Sequence, residues 1–152
     1  MPPLCVIITG RGERQEYYMQ RFAALKLIHV VVRSVWLSAA DYPRLLAAAD
    51  LGLSFHYSSS GLDLPMKVVD MFGCSLPVCA VGFNCLDELV IDGKNGFVFS
   101  DANQLCTQMQ TLLRGFPRRN KKLHYMREFL QKTIKRWDDN WNASARKIFV
   151  KY

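Results

Sequence analysis

The sequence has 152 residues, enough for one domain with a buried core. Half of its residues are hydrophobic and 22% are charged, which excludes a wholly disordered chain. No run approaches the roughly 20 apolar residues that a membrane-spanning helix needs. The five cysteines include no Cys-x-x-Cys pair and the three histidines are scattered, so we expect reduced thiols and no metal site.

The positive charge is concentrated at one end of the chain. Residues 1–113 hold 8 Lys/Arg against 10 Asp/Glu, whereas residues 114–152 hold 12 against 3. The sequence therefore predicts two parts, an α/β domain over residues 1–113 and a basic helical tail over residues 114–152. Such a tail is compatible with an anionic membrane surface and equally with a solvated helix face. Nothing in it resembles a motif that reads nucleic acid, so we expect no nucleic-acid partner.

Apolar, β-branched runs alternate with amphipathic stretches along the first hundred residues. The continuous apolar run over residues 4–9 is typical of a strand that is buried on both faces. A helix with a stripe of Tyr18, Phe22 and Leu25 follows it, and a capping box beginning at Ser38 opens a second helix. Pro65 suits the first turn of a third helix. The other predicted strands span residues 28–33, 51–55, 76–81 and 97–99. This alternation predicts a mainly parallel sheet with helices on both faces.

Beyond Asp101 the apolar spacing is helical throughout. The last predicted stretch places Trp137, Trp141 and Ile148 on one side of a helix.

Ligands of parallel α/β sheets bind at the carboxyl ends of the strands, and three predicted loops lie there, at residues 10–13, 56–63 and 81–88. The first is a turn with Gly10 and Gly12 that leads into a helix, an arrangement that presents free amides to a phosphate. A third glycine is lacking, and Arg33 ends the second strand where a dinucleotide-binding fold has an acidic residue. NAD is therefore disfavoured, and no P-loop sequence is present.

The second loop carries three consecutive serines before Gly61. On the helix after Pro65, Lys67 and Asp70 are three residues apart and share a face. A lysine can neutralise a diphosphate and a carboxylate can accept hydrogen bonds from ribose hydroxyls, although a surface ion pair fits this spacing equally well. The residues alone predict a phosphorylated ligand at the carboxyl edge of the sheet.

Residues 65–78, PMKVVDMFGCSLPV, resemble the nucleotide-sugar signature of GT-B glycosyltransferases, and the wider run SSSGLDLPMKVVDMFG over residues 58–73 is more specific. It is similar to the chitobiosyldiphosphodolichol β-mannosyltransferase family. The flanking runs ITGRG, WLSAADYP and RWDDNW agree with this, so the likeness covers essentially the whole chain.

The resemblance implies a Rossmann-like, C-terminal donor-binding domain of the GT-B fold. The implied reaction transfers the first mannose, in a β-1,4 linkage and with inversion, from GDP-mannose to dolichyl-diphosphate chitobiose in N-glycan precursor synthesis. It would take place at the cytosolic face of the endoplasmic reticulum membrane, without a metal or other cofactor. Other dolichol-pathway mannosyltransferases are implied as partners. An acceptor domain with the catalytic base is expected to precede Met1, and the isolated chain is then expected to be inactive.

The resemblance also implies roles for individual residues. Asp70 matches the acid that holds the ribose, and Lys67 and Arg11 are candidates for the diphosphate. The remaining implied donor contacts are Gly10 and Gly12 in the glycine turn, Ser59, Ser60, Gly61 and Leu62 beside the donor, and Glu88 facing the mannose.

The chain departs from the wider GT-B pattern at one point. Six residues rather than seven separate Asp63 from Asp70, which leaves Asp63 as either a sugar contact or a helix cap. His56 is either a donor contact or structural. Two other functions also remain open, namely a non-catalytic paralogue that binds the full-length enzyme and a general nucleotide-binding domain.

Overall fold

The structure is a computed structural model that describes residues 1–118 and 120–150. Arg119, a member of the predicted basic tail, lies outside the described residues, as do residues 151 and 152. The strands are β1 (Leu4–Thr9), β2 (Val30–Val35), β3 (Gly52–Ser54), β4 (Val78–Val81) and β5 (Gly96–Phe99). The helices are α1 (Gln15–Ala24), α2 (Asp41–Ala48), α3 (Met66–Gly73), α4 (Ala102–Leu113), α5 (Lys121–Thr133), α6 (Trp137–Asn140) and α7 (Arg146–Phe149). A 3₁₀ turn at Leu86–Glu88 lies between β4 and β5, and a π-helical turn at Trp141–Ala145 joins α6 to α7.

All the strands pair in parallel, as the alternation of strands and helices predicted, but they form two sheets rather than one. β1 pairs with β2, with Val6 opposite Val32. β3, β4 and β5 form the second sheet in that order, with Val78 of β4 aligned between Gly52 and Gly96. The α/β class is confirmed, and within the described part of the chain the predicted single sheet is divided between β1 and β3.

Two apolar clusters enclose β4. Alternate residues of a strand point to opposite faces of the sheet, and Val78 and Ala80 belong to one cluster whereas Cys79 belongs to the other. Val68 and Phe72 of α3 pack in the first cluster. The second cluster is completed by residues from β5, α4 and α5: Phe99, Leu112, Leu113, Leu123 and Met126. The central strand is therefore covered on both faces, as predicted.

The first β-α-β unit is covered much less than the sequence indicated. No residue of β1 is buried, and the side chains of Ile7 and Ile8 are each 41% exposed. No residue of α1 is buried either, and Tyr18 and Leu25 of its predicted stripe are exposed. The prediction that residues 4–9 form a strand buried on both faces is wrong, because side chains that point to either face of β1 remain partly or fully exposed.

The start of α2 follows the predicted capping signal at Ser38, whereas the cap of α4 was not predicted. The Ser38 hydroxyl accepts the N–H of Asp41 at 3.1 Å and donates to the Asp41 carboxylate at 2.7 Å, so α2 begins where the sequence placed it. At α4 the carboxylate of Asp101 accepts the N–H groups of Asn103 and Gln104. These contacts satisfy amides that would otherwise have no partner in the first turn of a helix.

The helices after residue 114 differ in how they are packed. α5 places Leu123, Met126 and Leu130 in the core. In the last segment Trp137 stacks on Trp141 with ring centroids 6.4 Å apart, and Trp141 stacks on Phe149 at 5.9 Å. No helix in residues 1–118 or 120–150 is both long and apolar enough to cross a bilayer.

We expect Met126→Ala to reduce the free energy of unfolding by about 2–5 kcal/mol, because Met126 is fully buried and its loss leaves a cavity. Gln131→Ala, an exposed change on the same helix, should remain within about 0.5 kcal/mol of the wild type. Urea unfolding followed by circular dichroism measures both. Equal effects of the two substitutions would show that α5 does not pack on the sheet.

Candidate functional site

The loops that follow β3 and β4 meet at the carboxyl edge of the three-stranded sheet. His56 and Tyr57 of the first loop contact the ring of Phe83 in the second, with centroids 6.0 and 6.4 Å apart. The Cys85 thiol donates to the carbonyl of Gly61 at 3.2 Å. Because both loops leave parallel neighbours, residues 56–63 and 82–88 form one continuous surface, which we call the loop platform.

Asp63 organises the serine part of the loop platform. Its carboxylate accepts the hydroxyls of Ser58 and of Ser60, the latter at 3.1 Å, and its second oxygen lies 2.9 Å from Nε2 of His56. The Ser58 hydroxyl is the largest cause that lowers the pKa of Asp63, and the Ser60 and His56 contacts lower it further. The hydrogen bonds therefore favour the ionised form of this carboxyl group.

The structure gives contacts for Asp63 and His56 that bear on the two interpretations of each residue. Pro65 occupies the N-cap position of α3, and no side chain caps that helix. Asp63 is therefore not the helix cap that was one of its two possible roles. His56 makes a structural contact through Asp63, and its edge contact with Phe83 fixes the other side of the ring.

Lys67 and Asp70 both lie exposed on α3, but they do not form the ion pair that their spacing allowed. Lys67 makes no hydrogen bond or ion pair with any residue of the described ranges 1–118 and 120–150. Asp70 and Cys74 add to the effect of burial in raising the pKa of Tyr42 on α2. The short helix α3 therefore carries the carboxylate of Asp70, which lies near the phenol of Tyr42. It also carries the ammonium group of Lys67, which no described residue neutralises.

The glycine turn follows β1. Gly10 has φ of +123°, a conformation that favours glycine, and a Cβ at this position would meet nothing within 4 Å. The guanidinium of Arg11 lies 4.9 Å from the centroid of the Trp36 ring. The carbonyl of Gly12 accepts the N–H of Gln15 at the start of α1. Among the described residues, no hydrogen bond or ion pair joins this turn to the loop platform or to α3.

Glu88 ends the 3₁₀ turn of the loop platform. Burial raises the pKa of the Cys85 thiol, and the carboxylates of Glu88, Asp63 and Asp87 raise it further. Glu88 and Asp63 therefore both lie within electrostatic reach of one thiol. Cys85 itself has φ of +63°, which is uncommon for a residue other than glycine.

The predicted residues Asp63, Gly61 and Glu88 all lie in the loop platform. Sequence reasoning did not name three further residues, namely Cys85 and Phe83 in the loop platform and Tyr42 near Asp70. The first two follow a predicted strand, and their place at its carboxyl end was the one available signal. Ser59 and Leu62 are exposed on the loop platform, and the Leu62 N–H donates to the Ser60 hydroxyl at 3.2 Å. In the described part of the chain, no three His, Cys, Asp or Glu residues are grouped so that they could hold a metal ion.

Comparison with known proteins gives relatives of this sequence and of this fold. The family model described as "Glycosyl transferases group 1" matches residues 2–115. Chitobiosyldiphosphodolichol β-mannosyltransferase of Mus musculus is 53% identical over 95% of this chain and 30% of its own length. The UDP-glycosyltransferase TURAN of Arabidopsis thaliana is 48% identical over 98% of this chain and 32% of its own. The chain thus spans about a third of the length of the curated relatives that it matches.

A solved structure shares the fold. The crystal structure of Anabaena HepE in complex with UDP has a TM-score of 0.68 to this chain at 22% identity, covering 98% of this chain and 42% of that one. The arrangement of β1–β5 and their helices is therefore shared with this solved structure over nearly the whole chain.

We expect Ser58→Ala to raise the pKa of Asp63 toward its usual value, because the hydroxyl that most lowers it is removed. Ser59→Ala is the matched control, since Ser59 makes no hydrogen bond to Asp63. Carboxyl-carbon NMR titration of the two variants measures the shift. A pKa of Asp63 that moves equally in both variants would contradict the hydrogen-bond network.

Proposed function

The chain belongs to the group 1 glycosyl transferases, and we propose that it is the nucleotide-sugar-binding part of a mannosyltransferase. The donor is GDP-mannose and the acceptor is dolichyl-diphosphate chitobiose, which receives its first mannose in a β-1,4 linkage. The reaction belongs to N-glycan precursor synthesis at the cytosolic face of the endoplasmic reticulum membrane. Support comes from several β-mannosyltransferase relatives, of which the Homo sapiens protein is 51% identical over 93% of this chain.

The observation that carries the donor site is the position of α3, which begins just after the first loop of the loop platform in the chain. The Cys85–Gly61 hydrogen bond joins two loops at the carboxyl edge, and α3 begins directly after the first of them. The first amides of α3 have no partner within the helix, and the helix dipole is positive at that end. Lys67 adds a cation that no described residue neutralises, so an anion is favoured here.

We propose the following roles for the groups around this anion site. A diphosphate is held at the start of α3 by its free amides and by Lys67, with Arg11 approaching from the glycine turn. Asp70, an exposed carboxylate, accepts hydrogen bonds from the ribose hydroxyls. Asp63 holds the serine loop in shape, because its oxygens are already engaged by Ser58, Ser60 and His56. Glu88 lies across the loop platform, where it faces the sugar.

The chemistry follows from this charge distribution. The acceptor hydroxyl attacks the anomeric carbon of mannose from the face opposite the diphosphate, the bond from that carbon to the phosphate oxygen breaks, and GDP leaves with its additional negative charge. Lys67, Arg11 and the amides of α3 stabilise that charge as it develops. The proton lost by the acceptor passes to a base contributed by polypeptide outside these 152 residues.

The basic tail is proposed to contact an anionic membrane surface. Its first helix buries Leu123, Met126 and Leu130 and leaves Lys121, Lys122 and Lys132 exposed. Each basic residue near such a surface contributes about 1 kcal/mol to binding. Other mannosyltransferases of the dolichol pathway are proposed partners at the same membrane.

A non-catalytic role is the second candidate, favoured by the exposed apolar surface of β1 and α1. A paralogue that binds the full-length enzyme would keep that surface and lose the donor site. Binding of a nucleotide separates the two functions, since an interaction protein has no need of it.

We expect titration calorimetry to show micromolar binding of GDP, with weaker binding of UDP and ADP. Lys67→Ala and Asp70→Asn should each weaken binding by about tenfold or more, which corresponds to about 1.4 kcal/mol. Lys94→Ala is the matched control, because Lys94 lies in the turn before β5, at the opposite edge of the sheet. Equal affinity for GDP, UDP and ADP would support a general nucleotide-binding domain, and no binding at all would support an interaction protein.

We also expect the 152-residue chain to bind donor without transferring mannose, because the acceptor site and the base lie outside it. A radiolabelled GDP-mannose assay with a lipid-linked chitobiose acceptor measures transfer. Radioactive product above the level of a reaction without protein would show that these residues are sufficient for catalysis.

A further inference from the structure

One peptide group of the loop platform, between Gly61 and Leu62, is hydrogen-bonded at both of its polar ends. Its carbonyl, which belongs to Gly61, accepts the thiol of Cys85 at 3.2 Å. Its N–H, which belongs to Leu62, donates to the hydroxyl of Ser60 at 3.2 Å. The carbonyl and the N–H of a planar trans peptide point in opposite directions. The thiol and the hydroxyl therefore hold one peptide plane from two sides.

Gly61 is the residue at which this peptide plane could turn most easily. Its φ is +73°, in the left-handed region, and a residue without a Cβ has the widest choice of backbone conformations. A Cβ at this position would lie 3.8 Å from the Cβ of Asn84, so the backbone of the first loop passes close to the second loop here. Within residues 1–118 and 120–150, the Cys85 thiol is the one group that donates a hydrogen bond to the Gly61 carbonyl.

The surroundings of Cys85 keep its thiol in the form that can donate. Burial raises the pKa of this thiol, and nearby carboxylates raise it further. An ordinary thiol is already largely protonated at neutral pH, and a raised pKa makes the thiolate rarer still. The hydrogen bond to Gly61 is therefore present across the neutral pH range.

The same cysteine is also joined to the turn that carries Glu88. The carbonyl of Cys85 accepts the N–H of Glu88 at 3.1 Å and so closes the 3₁₀ turn. On the opposite side of the peptide plane, the Ser60 hydroxyl donates to the carboxylate of Asp63 at 3.1 Å. A continuous series of contacts thus leads from Asp63 across the Gly61–Leu62 peptide plane to Glu88.

We propose that Cys85 is a positioning residue for the sugar of the bound nucleotide-sugar. Its thiol holds the Gly61–Leu62 peptide plane, and its backbone holds Glu88 at a fixed place relative to that plane. This role rests on the proposed function, in which the serine loop lies beside the donor and Glu88 faces the sugar. The groups proposed to bind the diphosphate and the ribose lie on α3 and in the glycine turn. Loss of the thiol should therefore weaken binding of the sugar and leave binding of the nucleotide largely unchanged.

The test compares GDP with GDP-mannose in titration calorimetry of the 152-residue chain. Cys85→Ala should weaken GDP-mannose binding by about fivefold or more and GDP binding by less than about twofold, because the lost hydrogen bond supports the sugar alone. A serine hydroxyl can also donate, so Cys85→Ser should bind GDP-mannose more tightly than Cys85→Ala does. Cys106→Ala is the matched control, since Cys106 is exposed on α4, and it should leave both affinities unchanged.

A second measurement needs no ligand. In ¹⁵N relaxation of the free chain, Cys85→Ala should lower the order parameter of the Leu62 amide from about 0.85 to below about 0.6, because its peptide plane is released at the carbonyl. Cys85→Ser should restore most of this loss. Val98 is the internal control, since its N–H donates to the Asp92 carboxylate at 2.9 Å, away from the loop platform.

Four results would overturn the positioning role alone. These are equal weakening of GDP and GDP-mannose in Cys85→Ala, unchanged binding of GDP-mannose in that variant, a serine variant no better than the alanine variant, or an unaltered Leu62 amide. A wild-type chain that binds neither GDP nor GDP-mannose would instead overturn the proposed function, and the positioning role with it. Binding of GDP by the wild type therefore separates the two failures.

Discussion

The pairing of β4 on both of its edges is the constraint on which the described structure depends. Val78 and Cys79 have no exposed surface, and burial together with the nearby Asp92 carboxylate raises the pKa of the Cys79 thiol to about 12. Because the pairs are parallel, the loops after β3 and β4 leave by the same edge. The packing of the core and the position of the loop platform therefore both depend on β4, and a shift of β4 would disturb both.

Local patterns predicted most of the elements. The run over residues 4–9 forms β1 as expected, and the Ser38 capping signal placed the start of α2 correctly. The second strand begins two residues later than predicted, since Ile28 is exposed and precedes the first pair with β1. Burial of β1 could not be predicted, because an apolar run specifies a strand but its covering comes from neighbours far away in sequence.

In the candidate site, too, features set by neighbouring residues were predictable from the sequence, whereas contacts between distant residues were not. The position of the serine loop after a strand was readable from the sequence, but the role of Asp63 was not, because spacing allowed a sugar contact as well as a cap. The contact of Cys85 with Gly61 joins residues 24 positions apart, and no periodicity of the sequence predicts such a contact. Nor does the sequence indicate that Asp70 lies near Tyr42, since this depends on how α2 packs on α3.

The stacking of Trp137 on Trp141 leaves Trp36 as the one tryptophan of the three that stands apart. Its indole lies under the guanidinium of Arg11, and a cation at that distance perturbs the excited state of the ring. An anion that draws Arg11 away would change the surroundings of this one indole among the three. The natural sequence thus contains an optical probe of its glycine turn, and no dye needs to be attached.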